Sequence, residues 1–259
     1  MSKREDNTSW GKVADWYDDL LEGDNDTYQA KVILPNLVRL LEIKKGETVL
    51  DLACGQGFFS RAISALGADV TGVDIGEELI AKALEKSVDG HLPHFPHYYV
   101  APSHNLSKTP DHSIDKVIIV LAIQNIEKMK ETFEECKRVL KDTGKLLIVL
   151  NHPAFRIPKK SSWEYDEKNN IQYRRIDSYI SESKTEMLMN PSKENSLKTI
   201  SFHRPLQTYF KALSKLGFAV SRLEEWNSHR KSEEGKRQVA EDIARKEIPI
   251  FLCLEAIIC

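Results

Sequence analysis

Residues 48–57 read Thr-Val-Leu-Asp-Leu-Ala-Cys-Gly-Gln-Gly, and this stretch decides the fold. Its first half is a short apolar run that predicts a buried strand. Gly55 and Gly57 predict a turn from that strand into a helix over 58–66. Strand-like and helix-like segments then alternate through residue 150. That alternation predicts a parallel sheet with right-handed crossovers.

The composition is that of a globular protein and weighs against several partners. The chain has 259 residues, with 37 basic and 39 acidic side chains and a net charge of −2. This balance lacks the positive field that nucleic-acid binding usually needs. The longest apolar run, Val117–Ile123, is far shorter than the roughly 18 residues of a membrane span. We therefore expect no membrane-spanning helix, and nucleic acid is a disfavoured partner.

Residues 1–10 carry charge but no apolar core, and the four cysteines form no C-x-x-C pair. The expectation is a cytoplasmic protein without a secretory leader and with reduced thiols.

Hydrophobic periodicity places the other elements. A helix is predicted from about residue 27 to 41, with a kink or restart at Pro35. Further strands are predicted at 69–74, 98–101, 116–121 and 145–150, with helices at 77–87 and 127–140 and a turn at 141–144. Residues 152–203 are polar and alternating, which predicts two to four antiparallel strands in an insertion. A helix at 205–216, a strand at 218–223, a helix at 233–245 and a strand at 248–258 are predicted to complete the chain.

The glycine turn lies beside an acid. Asp51 precedes Gly55 by four residues, and the third glycine of a dinucleotide-binding G-x-G-x-x-G motif is replaced by Ser60. The charge of Asp51 would oppose a pyrophosphate, so a nicotinamide dehydrogenase is disfavoured. An acid beside a glycine turn suits a cationic ligand, such as a sulfonium or an amino group.

A second acid, Asp74, ends the second predicted strand. A carboxylate in this position can accept hydrogen bonds from two ribose hydroxyls. Ile75 would then lie against the plane of a base. The alternative is that Asp74 is the N-cap of the next helix. The upstream glycine loop favours ribose binding.

These motifs together resemble the class I S-adenosylmethionine-dependent methyltransferases. The match consists of Val49–Gly57, the Val-Thr-Gly-Val-Asp-Ile segment at 70–75, and two later segments, Ser113–Ile126 and Val139–Ile148. The resemblance implies a Rossmann-like α/β fold with a seven-stranded, mostly parallel sheet, helices on both faces and an antiparallel last strand. The antiparallel insertion would follow strand five. S-adenosylmethionine would be the cofactor.

The resemblance also implies a single domain divided into four parts. Residues 1–46 would form an N-terminal helical lid, 47–151 the cofactor-binding half, 152–203 a substrate-capping insertion, and 204–259 the C-terminal helices and strands. Trp16 and Tyr17 could fold over the cofactor or simply pack a helix onto the sheet.

The cofactor residues follow from the same resemblance. The glycine-loop backbone would approach the methionine portion, Asp74 would hold the ribose, and the end of strand four would border cofactor and substrate. Related proteins often have an acid after strand three that contacts the adenine amino group, whereas this chain has Ser103 and His104 there. The predicted cofactor-binding set is Tyr17, Asp51, Ala53, Cys54, Gly55, Gln56, Gly57, Asp74, Ile75, Ser103, His104, Leu121 and Ala122.

The candidates for catalysis and acceptor binding rest on position alone. His152 follows strand five and His203 precedes a late helix, so either is a candidate general base. The competing interpretations are an ordinary turn for His152 and a helix cap for His203. Gln124, Asn125, Trp163 and Tyr173 are the predicted substrate-binding residues. The insertion's aromatic residues could instead form a small core or a dimer contact, which leaves a homodimer open.

The histidines between 91 and 112 do not favour a metal site. Pro93 and Pro96 exclude the helix that would align His91, His94 and His97, and no cysteine lies nearby. We therefore expect no metal.

The sequence predicts methyl transfer to a small-molecule O, N or C acceptor. The alternatives are an RNA or protein methyltransferase and a cofactor-binding regulatory protein without turnover.

Overall fold

The structure, a computed structural model, describes residues 26–89, 95–188 and 198–259. Within these ranges, seven strands form one sheet in the order β3-β2-β1-β4-β5-β11-β10. The strands are β1 (Thr48–Leu52), β2 (Asp69–Asp74), β3 (His97–Val100), β4 (Ile114–Val120), β5 (Leu140–Asn151), β10 (Phe218–Trp226) and β11 (Phe251–Ile258). The first five run parallel, and β11 is antiparallel to both of its neighbours. The predicted Rossmann-like sheet with a reversed last strand is confirmed.

Helices connect these strands and cover both faces of the sheet. They are α1 (Leu34–Leu41), α2 (Phe58–Ser64), α3 (Glu77–Asp89), α4 (Met129–Val139), α5 (Leu206–Lys215) and α6 (Gln238–Glu247). A π-helical turn, Gln29–Ile33, precedes α1. Pro35 lies in the first turn of α1, directly after the π-helical turn changes to α-helix at Leu34. Proline has no N–H to continue the helical hydrogen bonds, and the kink or restart predicted there takes the form of this change of helix type.

Strand β4 shows why the sheet is buried on both sides. Val117 and Ile119 pack into the core formed with α4 and α5. Ile118 and Val120 pack into the opposite core, which includes α1 and α2. Successive side chains of a strand point to opposite faces, so a continuous apolar run fits a sheet covered by helices on both faces.

The insertion consists of two antiparallel hairpins. One joins β6 (Ser161–Asp166) to β7 (Ile171–Ile176), and the other joins β8 (Ser183–Leu188) to β9 (Lys198–His203). This is the upper limit of the two to four predicted strands.

Several predicted boundaries were wrong. Strand β5 begins at Leu140 rather than 145 and so includes the predicted turn at 141–144, which bulges out where the pairing with β4 moves from Ile114–Leu140 to Lys116–Lys145. Lys141 donates from Nζ to Asp115 Oδ1 at 2.8 Å and so holds this segment along its neighbour. Helix α6 begins at Gln238 rather than 233, beyond Gly235, a residue type that disfavours helix. Strand β11 begins at Phe251 rather than 248, after Pro249, which cannot donate a ladder hydrogen bond.

Gly57 allows β3 and α3 to approach the start of α2 closely, and a larger residue there should lower the stability of the fold. Its φ is +79°, and a Cβ there would lie 2.5 Å from Tyr98 Oη and 3.1 Å from Ala83 Cβ. We expect Gly57→Ala to lower the free energy of unfolding by about 2–3 kcal/mol, measured by urea denaturation, because left-handed strain and overpacking add.

Gly46→Ala is the matched control. Gly46 has a φ of +82°, but no atom lies within 4 Å of its added Cβ. This variant should lose only the conformational part, about 1 kcal/mol. Equal losses in both variants would contradict the packing argument.

Candidate functional site

A cavity of about 180 Å³ opens at the carboxyl ends of β1, β2 and β4. It lies where the strand order reverses between β1 and β4, the position at which open α/β sheets bind ligands. Two residues at its rim, Ala53 and Leu121, have left-handed backbone with φ of 61° and 53°. Such strain costs of order 1–2 kcal/mol for a non-glycine residue and tends to concentrate at functional sites.

Many of the predicted cofactor residues line this cavity. They are Asp51, Ala53, Cys54, Gly55, Gln56, Asp74, Ile75, Ser103, His104, Leu121 and Ala122, and the predicted substrate residue Asn125 joins them.

Asp51 places a buried carboxylate on the cavity wall. Its side chain is 1% exposed, and its Oδ2 accepts a hydrogen bond of 2.6 Å from Ser60 Oγ. Burial, helped by the nearby charge of Asp74, raises the pKa of Asp51 to about 7. Within the described residues no cationic side chain pairs with it. A buried carboxylate without a counterion attracts a cationic ligand.

Asp74 ties the glycine loop to the end of β2. Its Oδ2 accepts the Gly55 N–H at 2.9 Å, and its Oδ1 accepts the Gly76 N–H at 2.8 Å. Burial raises the pKa of this carboxyl above its usual value. Each carboxylate oxygen has two acceptor positions, so both oxygens keep one for a ligand. Gly76 immediately precedes α3, so its bond to Asp74 also resembles a helix-entry turn. The helix-cap role and ligand binding by Asp74 are therefore compatible.

The glycine loop brings backbone and one side-chain donor to the cavity. Gly55 has a φ of 56°, whereas Gly57 is the N-cap of α2 and is absent from the cavity wall. Gln56 is 1% exposed, and its Oε1 accepts a bond from Arg61 Nη2 at 2.9 Å. Its buried Nε2 has no hydrogen-bond partner among the described atoms. An unmet buried donor costs about 1–3 kcal/mol, which a bound ligand's acceptor would recover.

The segment after β3 supplies an acceptor in place of a carboxylate. Ser103 Oγ and Thr132 Oγ1 lie 2.8 Å apart, and the Thr132 hydroxyl donates to the Lys128 carbonyl at 2.8 Å. The Ser103 hydroxyl must therefore donate to Thr132, which leaves the Ser103 oxygen able to accept a bond. His104 Nε2 lies 3.2 Å from Lys128 Nζ at the same rim.

The residues after β4 border the other side of the cavity. Asn125 Nδ2 donates to the Ile200 carbonyl at 2.8 Å and so joins the end of β4 to β9. Gln124 Nε2 donates to the Leu121 carbonyl at 2.6 Å, but Gln124 is absent from the cavity wall. Its Oε1 is buried and has no hydrogen-bond partner among the described atoms.

The two predicted bases lie outside this wall. His152 is buried; its Nδ1 accepts the Ala154 N–H at 3.2 Å and its Nε2 lies 2.7 Å from Glu225 Oε1. Burial lowers the pKa of His152. His203 is buried at the end of β9 and donates from Nε2 to the Tyr179 carbonyl at 2.7 Å. Their catalytic role stays a prediction, which the turnover of the double variant His152→Ala and His203→Ala would test.

The remaining predicted residues are also elsewhere. Trp163 lines a second cavity, and Tyr173 is 45% exposed on β7. Trp16 and Tyr17 lie outside the described residues, as do His91 and His94, so the lid is still a prediction. In the ranges that the structure describes, no three His, Cys, Asp or Glu side chains form a group that could hold a metal ion. None of the helices in those ranges is long and apolar enough to cross a bilayer.

Sequence reasoning missed part of the cavity wall. Phe58 and Phe59 start α2, Ile200 and Phe202 come from β9, and Glu127 follows β4. Glu127 could have been predicted from the sequence, because it follows the carboxyl end of a predicted strand. The residues of β9 carried no such signal.

Comparisons with known proteins relate this chain to methyltransferases. The sequence model of a family described as a methyltransferase domain matches residues 50–148. A crystal structure of an S-adenosylmethionine-dependent methyltransferase from Mesorhizobium loti is 25% identical, with a TM-score of 0.67 over 86% of this chain and 95% of that one. A structure from Listeria monocytogenes of a protein given the same function, 23% identical with a TM-score of 0.63 over 85% and 96%, supports the fold alone.

Two curated relatives each match about two fifths of the chain. A demethylmenaquinone methyltransferase of Tropheryma whipplei is 28% identical over 116 residues, 44% of this chain and 46% of the relative. A ubiquinone biosynthesis O-methyltransferase of Xanthomonas oryzae is 32% identical over 107 residues, 40% and 42% of the two chains. The chain thus spans about half the length of the curated relatives it matches.

Proposed function

Because the chain belongs to the class I S-adenosylmethionine-dependent methyltransferase family, we propose that it transfers the methyl group of this cofactor to a small-molecule O, N or C acceptor. One observation carries the proposal: two buried carboxylates, Asp51 and Asp74, face one cavity without a cationic partner among the described residues. This pair of hydrogen-bond acceptors fits a ligand that has both a positive charge and a sugar.

The residues present can be assigned to parts of the cofactor by their chemistry. Asp51 would face the cationic methionine portion, and the free acceptor positions of Asp74 would take the ribose hydroxyls. The Ser103 oxygen would accept from the adenine amino group. S-adenosylmethionine supplies an electrophilic methyl group on a positively charged sulfur.

The protein's own part in the reaction is positioning. Methyl transfer needs the nucleophile held in line at about 3–3.5 Å from the reacting carbon. Leu121, Ile200 and Phe202 make an apolar wall on the side of the cavity bounded by β4 and β9, which suits an acceptor with an apolar or ring portion. The names of the two curated relatives, both quinone-pathway methyltransferases, support a small acceptor.

Charge pairing in the insertion argues against an RNA or protein acceptor. Such an acceptor calls for one-sided clustering of free cations. Arg175 instead pairs with Asp177, Lys184 with Glu127, and Lys198 with Glu186. These three pairs give the described part of the two hairpins a mixed-charge surface, which lowers its attraction for a polyanion. Arg156 and Arg174, which form no ion pair within the described residues, line a cavity instead.

The test incubates the purified protein with radiolabelled methyl donor and fractionated cell extract. We expect label in the small-molecule fraction, with activity insensitive to salt. Label in RNA or protein would replace this proposal with the first alternative. Cofactor binding by calorimetry with no label in any fraction would support the regulatory alternative. The Asp74→Ala variant is the control for background labelling.

We also propose a cytoplasmic location, because of the composition of the chain. A homodimer is proposed because the insertion's aromatic residues could form a contact between two copies. Cell fractionation and light scattering would test them.

A further inference from the structure

A second cavity, of about 260 Å³, lies apart from the cofactor cavity. Its wall combines the loop after β5, the β6–β7 hairpin, α6 and the segment between α6 and β11. The lining residues are Tyr28, Phe155, Arg156, Trp163, Arg174, Ser228, Arg245, Ile248, Pro249 and Ile250. None of them lines the cofactor cavity, and the proposed methyl transfer uses none of them.

Three arginines, Arg156, Arg174 and Arg245, line this cavity, and within the described ranges none of them forms an ion pair with a carboxylate. Arg174 donates from Nε to the Phe155 carbonyl at 2.6 Å and from Nη2 to Ser161 Oγ at 2.7 Å. Its guanidinium also stacks over the Trp163 ring, 5.3 Å from the centroid. In the part of the chain that the structure describes, no carboxylate forms an ion pair with Arg156 or Arg174. Nearby Arg175 and Arg237, in contrast, pair with Asp177 and Glu167.

Of the three arginines, Arg156 has the fewest hydrogen bonds to other described protein groups. Its guanidinium lies 5.9 Å from the centroid of the Phe251 ring, and none of its N–H donors has a hydrogen-bond partner among the described residues. Arg156 is an exposed residue whose guanidinium borders the cavity, and desolvation by the cavity wall lowers its pKa. Burial and the charge of Arg156 both lower the pKa of Arg174.

Two like charges held together without a counterion create a local field that attracts anions. Arginine presents paired N–H donors that match the oxygens of phosphate and carboxylate. Arg174 is also preorganised, because a carbonyl and a hydroxyl already fix its position. The hydrogen-bonding capacity left over belongs mainly to Arg156, whose exposed part is accessible from solvent.

We propose that this cavity binds an oxyanion, the phosphate or carboxylate group of a small molecule, through Arg156 and Arg174, with Arg245 on its wall. The site is separate from cofactor binding and does not depend on the proposed methyl transfer. Tyr28 and Trp163 flank it, so the ligand's remaining part would contact aromatic rings.

The test is calorimetric titration at low ionic strength with inorganic phosphate and, in a parallel arm, malonate. We expect saturable binding of at least one anion with a millimolar or tighter Kd. Arg156→Gln should weaken it about tenfold or more, the loss expected for a charge-assisted pair. Arg237→Gln is the matched control, since it removes the same charge nearby from an arginine already paired with Glu167; it should change the Kd by less than about twofold.

The arms separate the possible results. The anion that binds more tightly names the ligand class, and unchanged S-adenosylmethionine binding in Arg156→Gln would show that the sites are separate. No saturable binding of either anion, or equal loss in the Arg237→Gln control, would overturn the proposal. If Arg156→Gln fails to fold, Arg156→Lys preserves the charge and should still lose the paired contact.

Discussion

Replacing Asp74 with Ala is expected to weaken S-adenosylmethionine binding by about 100-fold or more. A hydrogen bond to a charged acceptor contributes about 1.5–3 kcal/mol, and two such bonds to ribose hydroxyls amount to a factor of this size or larger. The variant also releases the Gly55 and Gly76 N–H groups, which Asp74 now holds at 2.9 and 2.8 Å. The glycine loop would then lose its anchor to β2. Isothermal calorimetry with the cofactor measures the loss.

Asp74→Asn and Asp69→Ala separate these contributions. Asparagine keeps one acceptor oxygen, so its Kd should fall between those of the wild type and the alanine variant. Asp69 is an exposed carboxylate at the other end of the same strand, and its removal should leave the Kd unchanged. Wild-type affinity in Asp74→Ala would refute the ribose assignment. Loss of affinity accompanied by a lower melting temperature only in the alanine variant would locate the effect in the loop anchor.

The glycine loop and the two acids could be predicted because their signals are local. Strand β1, the turn and α2 follow one another within Thr48–Ser64, so their order along the chain fixes their order in space. Asp74 ends the next strand, and parallel pairing of β1 with β2 brings its carboxyl end beside that of β1. Sequence therefore sufficed to bring Asp51 and Asp74 to one cavity.

The far wall of the cavity could not be predicted, because it depends on contacts between distant segments. Asn125 reaches Ile200 across 75 residues, and nothing in the polar, alternating sequence of the insertion specifies which face of β9 points inward. His152 shows the same limit. Its position after β5 suggested an active-site base, but its Nε2 donates a hydrogen bond to Glu225, 73 residues away. The direction of a side chain after a strand depends on such partners.

Replacing Asp51 with Asn is expected to stabilise the ligand-free protein and weaken cofactor binding. The folded pKa of about 7 exceeds the usual value of 3.8, so the folded state binds more protons than the unfolded state between these values. The free energy of unfolding of the wild type therefore falls as pH rises towards 7 and is flat above it. Asn stays neutral and escapes this loss. The stability gained by the variant relative to wild type should grow by about 3 kcal/mol between pH 5 and pH 8, measured by urea denaturation.

Binding should depend on pH in the opposite sense. A cationic ligand favours the ionised carboxylate, so wild-type affinity for S-adenosylmethionine should rise through pH 7 and then level off, with a proton released on binding below that pH. Asp51→Asn should bind more weakly at pH 8, by about tenfold or more for one lost charge pair in a buried site, and its proton release should be smaller. Calorimetry in two buffers of different ionisation enthalpy measures both quantities. A variant that gains stability at pH 8 yet binds as tightly as wild type would show that the burial of Asp51 serves folding rather than the cofactor. A variant that gains stability at pH 8 and also binds more weakly would show that the unpaired charge of Asp51 is retained, at a cost in stability, because it pairs with a cationic ligand.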